Sequence, residues 1–111
     1  MTFAEYEQNA HRTINQELTL EDLKRHALLG LGSEVGEIQG IFQKTYQGHP
    51  VDPEKVKDEL GDLVWFAAEL CCVMGFTMED VARHNNEKLT RRYPDGFSAE
   101  RSIHREEYKN D

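Results

Sequence analysis

The sequence predicts an all-α fold: an antiparallel bundle of about four helices in one domain. Apolar residues recur every three or four positions through long segments, as they do on the buried stripe of an amphipathic helix. Gly48, Pro50, Gly75 and Pro94 fall between those segments, where helices should stop. No stretch alternates apolar and polar residues as a half-buried strand would.

The first helix is expected over about Thr2–Asn15, with Phe3, Tyr6, Ala10 and Ile14 roughly on one side. The second opens at Thr19, an N-cap residue followed by the first-turn acids Glu21 and Asp22. It runs to about Tyr46 and stops at Gly48 and Pro50. The third begins near Asp52, with Pro53 suited to the first helical position, and runs to Met74, where Gly75 supplies a C-terminal stop. The short connection between the second and third helices predicts an antiparallel hairpin. The fourth helix opens at Thr77 and must end before Pro94, because the residue ahead of a proline avoids the helical region. A turn at Asp95-Gly96 follows, then a polar tail, 98–111, read as a short helix or loose end. Residues 1–111 thus make a single domain, with no repeat and no interdomain linker.

Length and charge narrow the function. A chain of 111 residues is one domain's worth. A monomer of this size buries only about two-thirds of the surface that its unfolded chain exposes, so association with further copies would help it. Thirteen Lys and Arg against 21 Asp and Glu give a formal charge of −8. That argues against nucleic acid, whose binding relies on cationic residues displacing counterions, and against an anionic membrane surface. A small phosphorylated ligand stays compatible if a divalent cation bridges it to the acids. No apolar run approaches the ~20 residues of a membrane span, and the first residues lack a signal peptide's apolar segment, so a cytoplasmic location is expected. Cys71 and Cys72 are adjacent, a poor geometry for a helical disulfide, and read as reduced, partly buried side chains.

The informative feature is four acids placed where apolar residues belong. Leu23, Ala27, Leu31, Ile38 and Ile41 mark the stripe of the second helix; Glu34 sits within it and Glu37 at its edge. Val56, Leu63, Phe66, Leu70 and Val73 mark the stripe of the third; Glu59 falls inside it and Asp62 beside it. A carboxylate turned toward a core is costly unless it is paired or binds a metal. Two such pairs on antiparallel helices can converge on one point, and an oxygen-only ligand set suits Mg²⁺, with Mn²⁺ a second option. For one ExxE, a solvated charged face would be the better reading; two core-facing pairs favour metal. Glu69 and Asp58 lie near the same face and read as surface acids ahead of the alternative, groups that support the metal ligands from behind. Gly30, Gly32, Gly36, Gly40 and Gly61 crowd the acids, although glycine inside a helix costs about 1 kcal/mol against alanine. They suggest room for close helix approach or for a ligand.

On the fourth helix, Asn85, Lys88 and Arg92 share one face. With Arg91 they could hold phosphates, or simply complement the helix dipole near its C-terminus. Lys44 is a further phosphate candidate. Phe42, Tyr46, Trp65 and Phe66 could include a partner for a nucleobase. Trp65 lies off the acid-bearing stripe and is expected in a helix or subunit interface. The histidines at 11, 26, 49, 84 and 104 form no metal-binding pattern and receive no chemistry. A ferritin-like di-metal bundle would need ExxH pairs, and none occurs.

The segments GSEVGEIQGIFQK, DELGDLVWFAAEL and NNEKLTRRYPDGF, in that order, resemble the MazG-like family of all-α nucleoside triphosphate pyrophosphohydrolases over about residues 20–97. Glu34, Glu37, Glu59 and Asp62 match its ExxE…ExxD signature; Asn85, Lys88, Arg92, Tyr93 and Pro94 match its later segment. The resemblance implies Mg²⁺-dependent cleavage of an NTP or dNTP between the α- and β-phosphates, giving a nucleoside monophosphate and pyrophosphate, in the service of nucleotide-pool sanitation. It also implies a homodimer or homotetramer whose nucleotide pocket a neighbouring subunit completes. Glu37 and Glu59 are then the candidate catalytic acids, Glu37 as general base, with Lys44, Asn85, Lys88 and Arg92 on the substrate. The alternative is a non-catalytic helical module that binds metal or nucleotide.

Overall fold

The computed structural model describes residues 1–104, and among them there are five α-helices and no strand. The last part of the expected tail, 105–111, lies outside the described residues. The chain divides into two compact units, Met1–Met78 and Glu79–Asp111.

In the first unit, α1 spans Phe3–His11. Thr2 and Glu5 cap it reciprocally: the Thr2 hydroxyl accepts from the Glu5 N–H at 3.1 Å, and the Glu5 carboxylate accepts from the Thr2 N–H at 3.2 Å. The helix stops at His11 rather than Asn15. The Thr13 and Ile14 N–H groups bond back three residues, to Ala10 and His11, and the Thr13 hydroxyl also donates to the Ala10 carbonyl. That local hydroxyl bond competes with the helical ladder and tightens the exit.

Helix α2 spans Leu20–Gln43, with the Thr19 hydroxyl accepting from the Asp22 N–H at 3.1 Å. Its end tightens into a 3-10 turn, Lys44–Gln47, closed by Gly48 at φ 92°, so the α-helix ends before Tyr46. Helix α3 spans Pro53–Met74. The Asp52 carboxylate accepts from the Glu54 N–H at 3.0 Å at its start, and Gly75, at φ 84°, stops it. Both are the local devices that the sequence predicts.

The two long helices run antiparallel. His26 meets Glu69, Gly30 meets Phe66, and Glu34 meets Asp62, so each step up α2 is a step down α3. Gly30 is a close approach: a Cβ there would lie 2.2 Å from carbons of the Phe66 ring. Helix α1 lies on α3, where the Trp65 indole N–H donates to the Thr13 hydroxyl at 2.8 Å. Trp65 thus packs helix on helix, as its place off the acid stripe predicts. The buried apolar set is small: Ala10, Ile14, Leu23, Ala27, Ala68 and Cys71. Leu31, Ile38 and Ile41, expected in the core stripe, are only half-buried. Cys71 is buried but Cys72 is exposed, and neither forms a disulfide. Glu7 is also buried; its carboxylate accepts from the Met78 N–H at 3.1 Å, at the first residue of the next helix.

That helix, α4, spans Met78–Arg92, and α5 spans Ala99–Ile103. Within the second unit, the chain turns at Asp95-Gly96, with Gly96 at φ 95° and its N–H donating to the Tyr93 carbonyl at 3.1 Å. The Arg101 side chain donates to the Arg91 and Arg92 carbonyls and so caps the end of α4. Among the described residues, no single helix is long and apolar enough to cross a membrane.

Candidate metal centre

Glu34 reaches the centre from the middle of α2, and Glu59 and Asp62 reach it from the first half of α3. Helical periodicity places them: Glu34 continues the line of Leu23, Ala27 and Gly30, which bury α2 against α3. One carboxylate oxygen from each of the three lies within 4.8 Å of the others. Glu34 and Glu59 are half-buried, and Asp62 is exposed.

The electrostatics are those of a site short of positive charge. The Glu34 carboxyl is pushed up to about 7. Its hydrogen bond with Glu59 contributes most, because two carboxylates can bond only through a shared proton. Loss of water and the negative charges of Glu59, Asp62 and Glu37 add to the rise. Glu34 Oε2 is buried and has no hydrogen-bond partner among the described residues. No Lys or Arg of the first unit forms an ion pair with Glu34, Glu59 or Asp62 among the described residues. Clustered carboxylate oxygens, one of them buried and unsatisfied, fit a hard divalent cation that replaces the shared proton.

Glu37 is exposed and stands outside the close trio, while its charge still acts on Glu34. Lys44 opens the 3-10 turn after α2 and is exposed. Asn85, Lys88 and Arg92 lie on α4; Asn85 is exposed, and Lys88 and Arg92 are half-buried. Of the five glycines, only Gly30 is a close approach. A methyl group added at Gly32, Gly36, Gly40 or Gly61 would meet nothing within 4 Å, so those positions face open space.

Two groups near the acids escaped the sequence reading. Tyr6, on α1, has its hydroxyl pKa raised, first by burial and second by the charge of Asp62. Nothing in the local pattern of α1 reports that proximity. Glu69 is not a surface acid: it is 1% exposed, and both its oxygens lie 2.9 Å from His26 Nδ1. Its place beside the acid face was visible in the spacing, and His26, just over two turns before Glu34 on α2, was the signal that could have paired with it. Asp58 is exposed, as expected.

The helical hairpin thus brings one acid of the ExxE pair and both acids of the ExxD pair to one point. The chain belongs to the MazG nucleotide pyrophosphohydrolase family, whose domain model matches residues 24–97. No curated protein and no solved structure matched the chain.

Proposed function

We propose that this chain hydrolyses a nucleoside or deoxynucleoside triphosphate between the α- and β-phosphates, releasing the monophosphate and pyrophosphate, with Mg²⁺ held by Glu34, Glu37, Glu59 and Asp62. The observation that carries this reading is the convergence of three carboxylates from α2 and α3 within 4.8 Å, without a cationic side chain of the same unit paired to them among the described residues. Mg²⁺, or Mn²⁺ in its place, would neutralise phosphate charge and acidify an attacking water.

The protein's own groups supply the rest. Glu34, Glu59 and Asp62, with Glu37 at the rim, would hold the cation, which would in turn bind the triphosphate. Glu37, exposed and outside the close trio, would orient a water and take its proton. Lys44, Lys88 and Arg92 balance the remaining phosphate charge, Arg92 with a planar fork suited to phosphate oxygens, and Asn85 orients phosphate or sugar. Pool sanitation is the role that suits such a reaction.

Homodimers or homotetramers complete the molecule. Leu28, Val35 and Phe42 follow one another at seven-residue spacing along α2, and all three are exposed, as is Leu60 on α3. With so small a core, that apolar line favours burial against another copy.

The test is a panel of NTPs and dNTPs with Mg²⁺, in which pyrophosphate and orthophosphate are scored separately. Pyrophosphate and monophosphate should appear in equal amounts, and Glu59→Gln should abolish turnover while the helical circular dichroism stays. Orthophosphate as the sole product would overturn the cleavage position, and full activity of Glu59→Gln would remove Glu59 from the chemistry.

A further inference from the structure

The His26–Glu69 pair is built unlike an ordinary tether between helices. Glu69 is 1% exposed, whereas the His26 side chain is 50% exposed. Burying a carboxylate costs free energy that an exposed ion pair returns poorly. What the arrangement does achieve is orientation. Both Glu69 oxygens lie 2.9 Å from Nδ1, so Nδ1 must carry the ring proton and donate it. The rings of Trp65, at 6.3 Å and 89°, and Phe66, at 5.5 Å and 57°, flank the imidazole and restrict its rotation. Among the described residues of the first unit Nε2 has no partner, and in the neutral ring it offers a lone pair.

Its position adds the second element. His26 precedes Glu34 by eight residues on α2, and Glu69 follows Asp62 by seven on α3. At 1.5 Å per residue, the pair sits about 10–12 Å along the hairpin from the acid cluster. That distance is the reach from the phosphates of a nucleotide, through its sugar, to the edge of its base. Between the two lies Phe66, packed so closely on Gly30 that no side chain fits there.

We propose that His26 is a specificity-determining residue of the nucleotide site: held by Glu69 at Nδ1, its Nε2 accepts a hydrogen bond from an N–H on the edge of the base, while the phosphates lie at Glu34, Glu59 and Asp62. This rests on the nucleotide reading of the acid cluster. Phe66, which packs on Gly30 and lies beside the imidazole, is the apolar wall of the same subsite. Glu69 acts through His26 and is a positioning residue. The ligands selected are nucleotides whose base presents a ring N–H or an exocyclic amine toward the imidazole.

The test has two arms. In the first, kcat/KM is measured for the panel of NTPs and dNTPs with wild-type protein, His26→Ala and Glu69→Gln. Loss of one hydrogen bond predicts that the preference between the best and worst base shrinks by about tenfold in His26→Ala, through KM rather than kcat. Glu69→Gln should show a smaller change in the same direction, because the ring loses its fixed tautomer. Unchanged base preference in a folded His26→Ala variant would overturn the inference and leave the proposed hydrolysis standing. The second arm needs no turnover and no substitution. The His26 ring resonances of ¹³C,¹⁵N-labelled wild-type protein are followed with Mg²⁺ and either a non-hydrolysable α,β-methylene nucleotide or inorganic triphosphate. The nucleotide should shift Nε2 and inorganic triphosphate should not. Equal shifts with both would overturn the assignment. A shift with the nucleotide alone, in a protein that hydrolyses none of the panel, would support His26 as a base reader while removing the hydrolytic reading.

Discussion

Replacing Gly30 with alanine probes a tight contact between α2 and α3. The new Cβ would lie 2.2 Å from carbons of the Phe66 ring. Phe66 cannot simply swing aside, because Trp65 stands against it at 5.1 Å and His26 at 5.5 Å. Overpacking of this kind costs about 1–3 kcal/mol. Alanine recovers about 1 kcal/mol over glycine inside a helix. The net expectation is a loss of up to about 2 kcal/mol. Gly32 provides the control on the same helix: with no group within 4 Å, Gly32→Ala carries only the propensity gain, about 1 kcal/mol of added stability. The two variants should therefore move Tm in opposite directions, by roughly 4–8 °C per kcal/mol, in thermal unfolding followed by circular dichroism with a chelator present. Adding Phe66→Leu to Gly30→Ala should recover part of the loss, since the smaller side chain vacates the space. Gly30→Ala as stable as Gly32→Ala would refute the packing argument, and a Gly32→Ala variant less stable than wild type would refute the reading of that face as open.

The remaining predictions concern the acid cluster and the α1 contact. Folded, metal-free Glu34 keeps its proton up to about 7, whereas a glutamate in the unfolded chain releases it near 4.5. The native state then binds more protons than the unfolded state between those values, so stability should fall as pH rises through that window. A Tm series from pH 4 to 8 in chelator checks the slope, and Glu34→Gln should flatten it; a rising slope that Glu34→Gln leaves unchanged contradicts the assignment. Cation affinity should run the other way, strengthening as pH rises through about 7 where Glu34 gives up its proton, with proton release visible by calorimetry in buffers of different ionisation heat. At the α1–α3 contact, Thr13→Val removes the acceptor of the Trp65 indole N–H and should cost about 1 kcal/mol in urea unfolding, with a shift in tryptophan emission. Unaltered emission and stability would mean that Trp65 does not hold α1.

Features fixed by near neighbours were legible in the sequence. Thr19, Asp52, Pro53, Gly48 and Gly75 act within a turn of where they stand, so the bounds of α2 and α3 followed closely from residue type. The acids were legible because helical spacing decides a side chain's face before any partner is known; Glu34, Glu59 and Asp62 meet as that spacing requires. Distance along the stripe does not say how near the centre an edge residue comes, and Glu37 stays at the rim. Glycine presents the same difficulty: five positions look alike in sequence, yet only Gly30 faces an aromatic ring, because that depends on the register between helices. The partners of Glu7, Tyr6 and Glu69 were illegible for a further reason. Each depends on how a separate helix crosses or pairs, through contacts 43 residues apart for His26 and Glu69 and 71 apart for Glu7 and Met78.

Cys71 and Cys72 point one thiol into the protein and one out of it. Adjacent in the chain, they differ in exposure, which governs access by a soluble reagent. A maleimide or disulfide dye should therefore modify native protein at Cys72 and reach Cys71 only when α3 opens. The chain so carries its own reporter: the second labelling event times an opening of the helix that bears Glu59 and Asp62, and a bound cation that ties that helix to α2 should delay it.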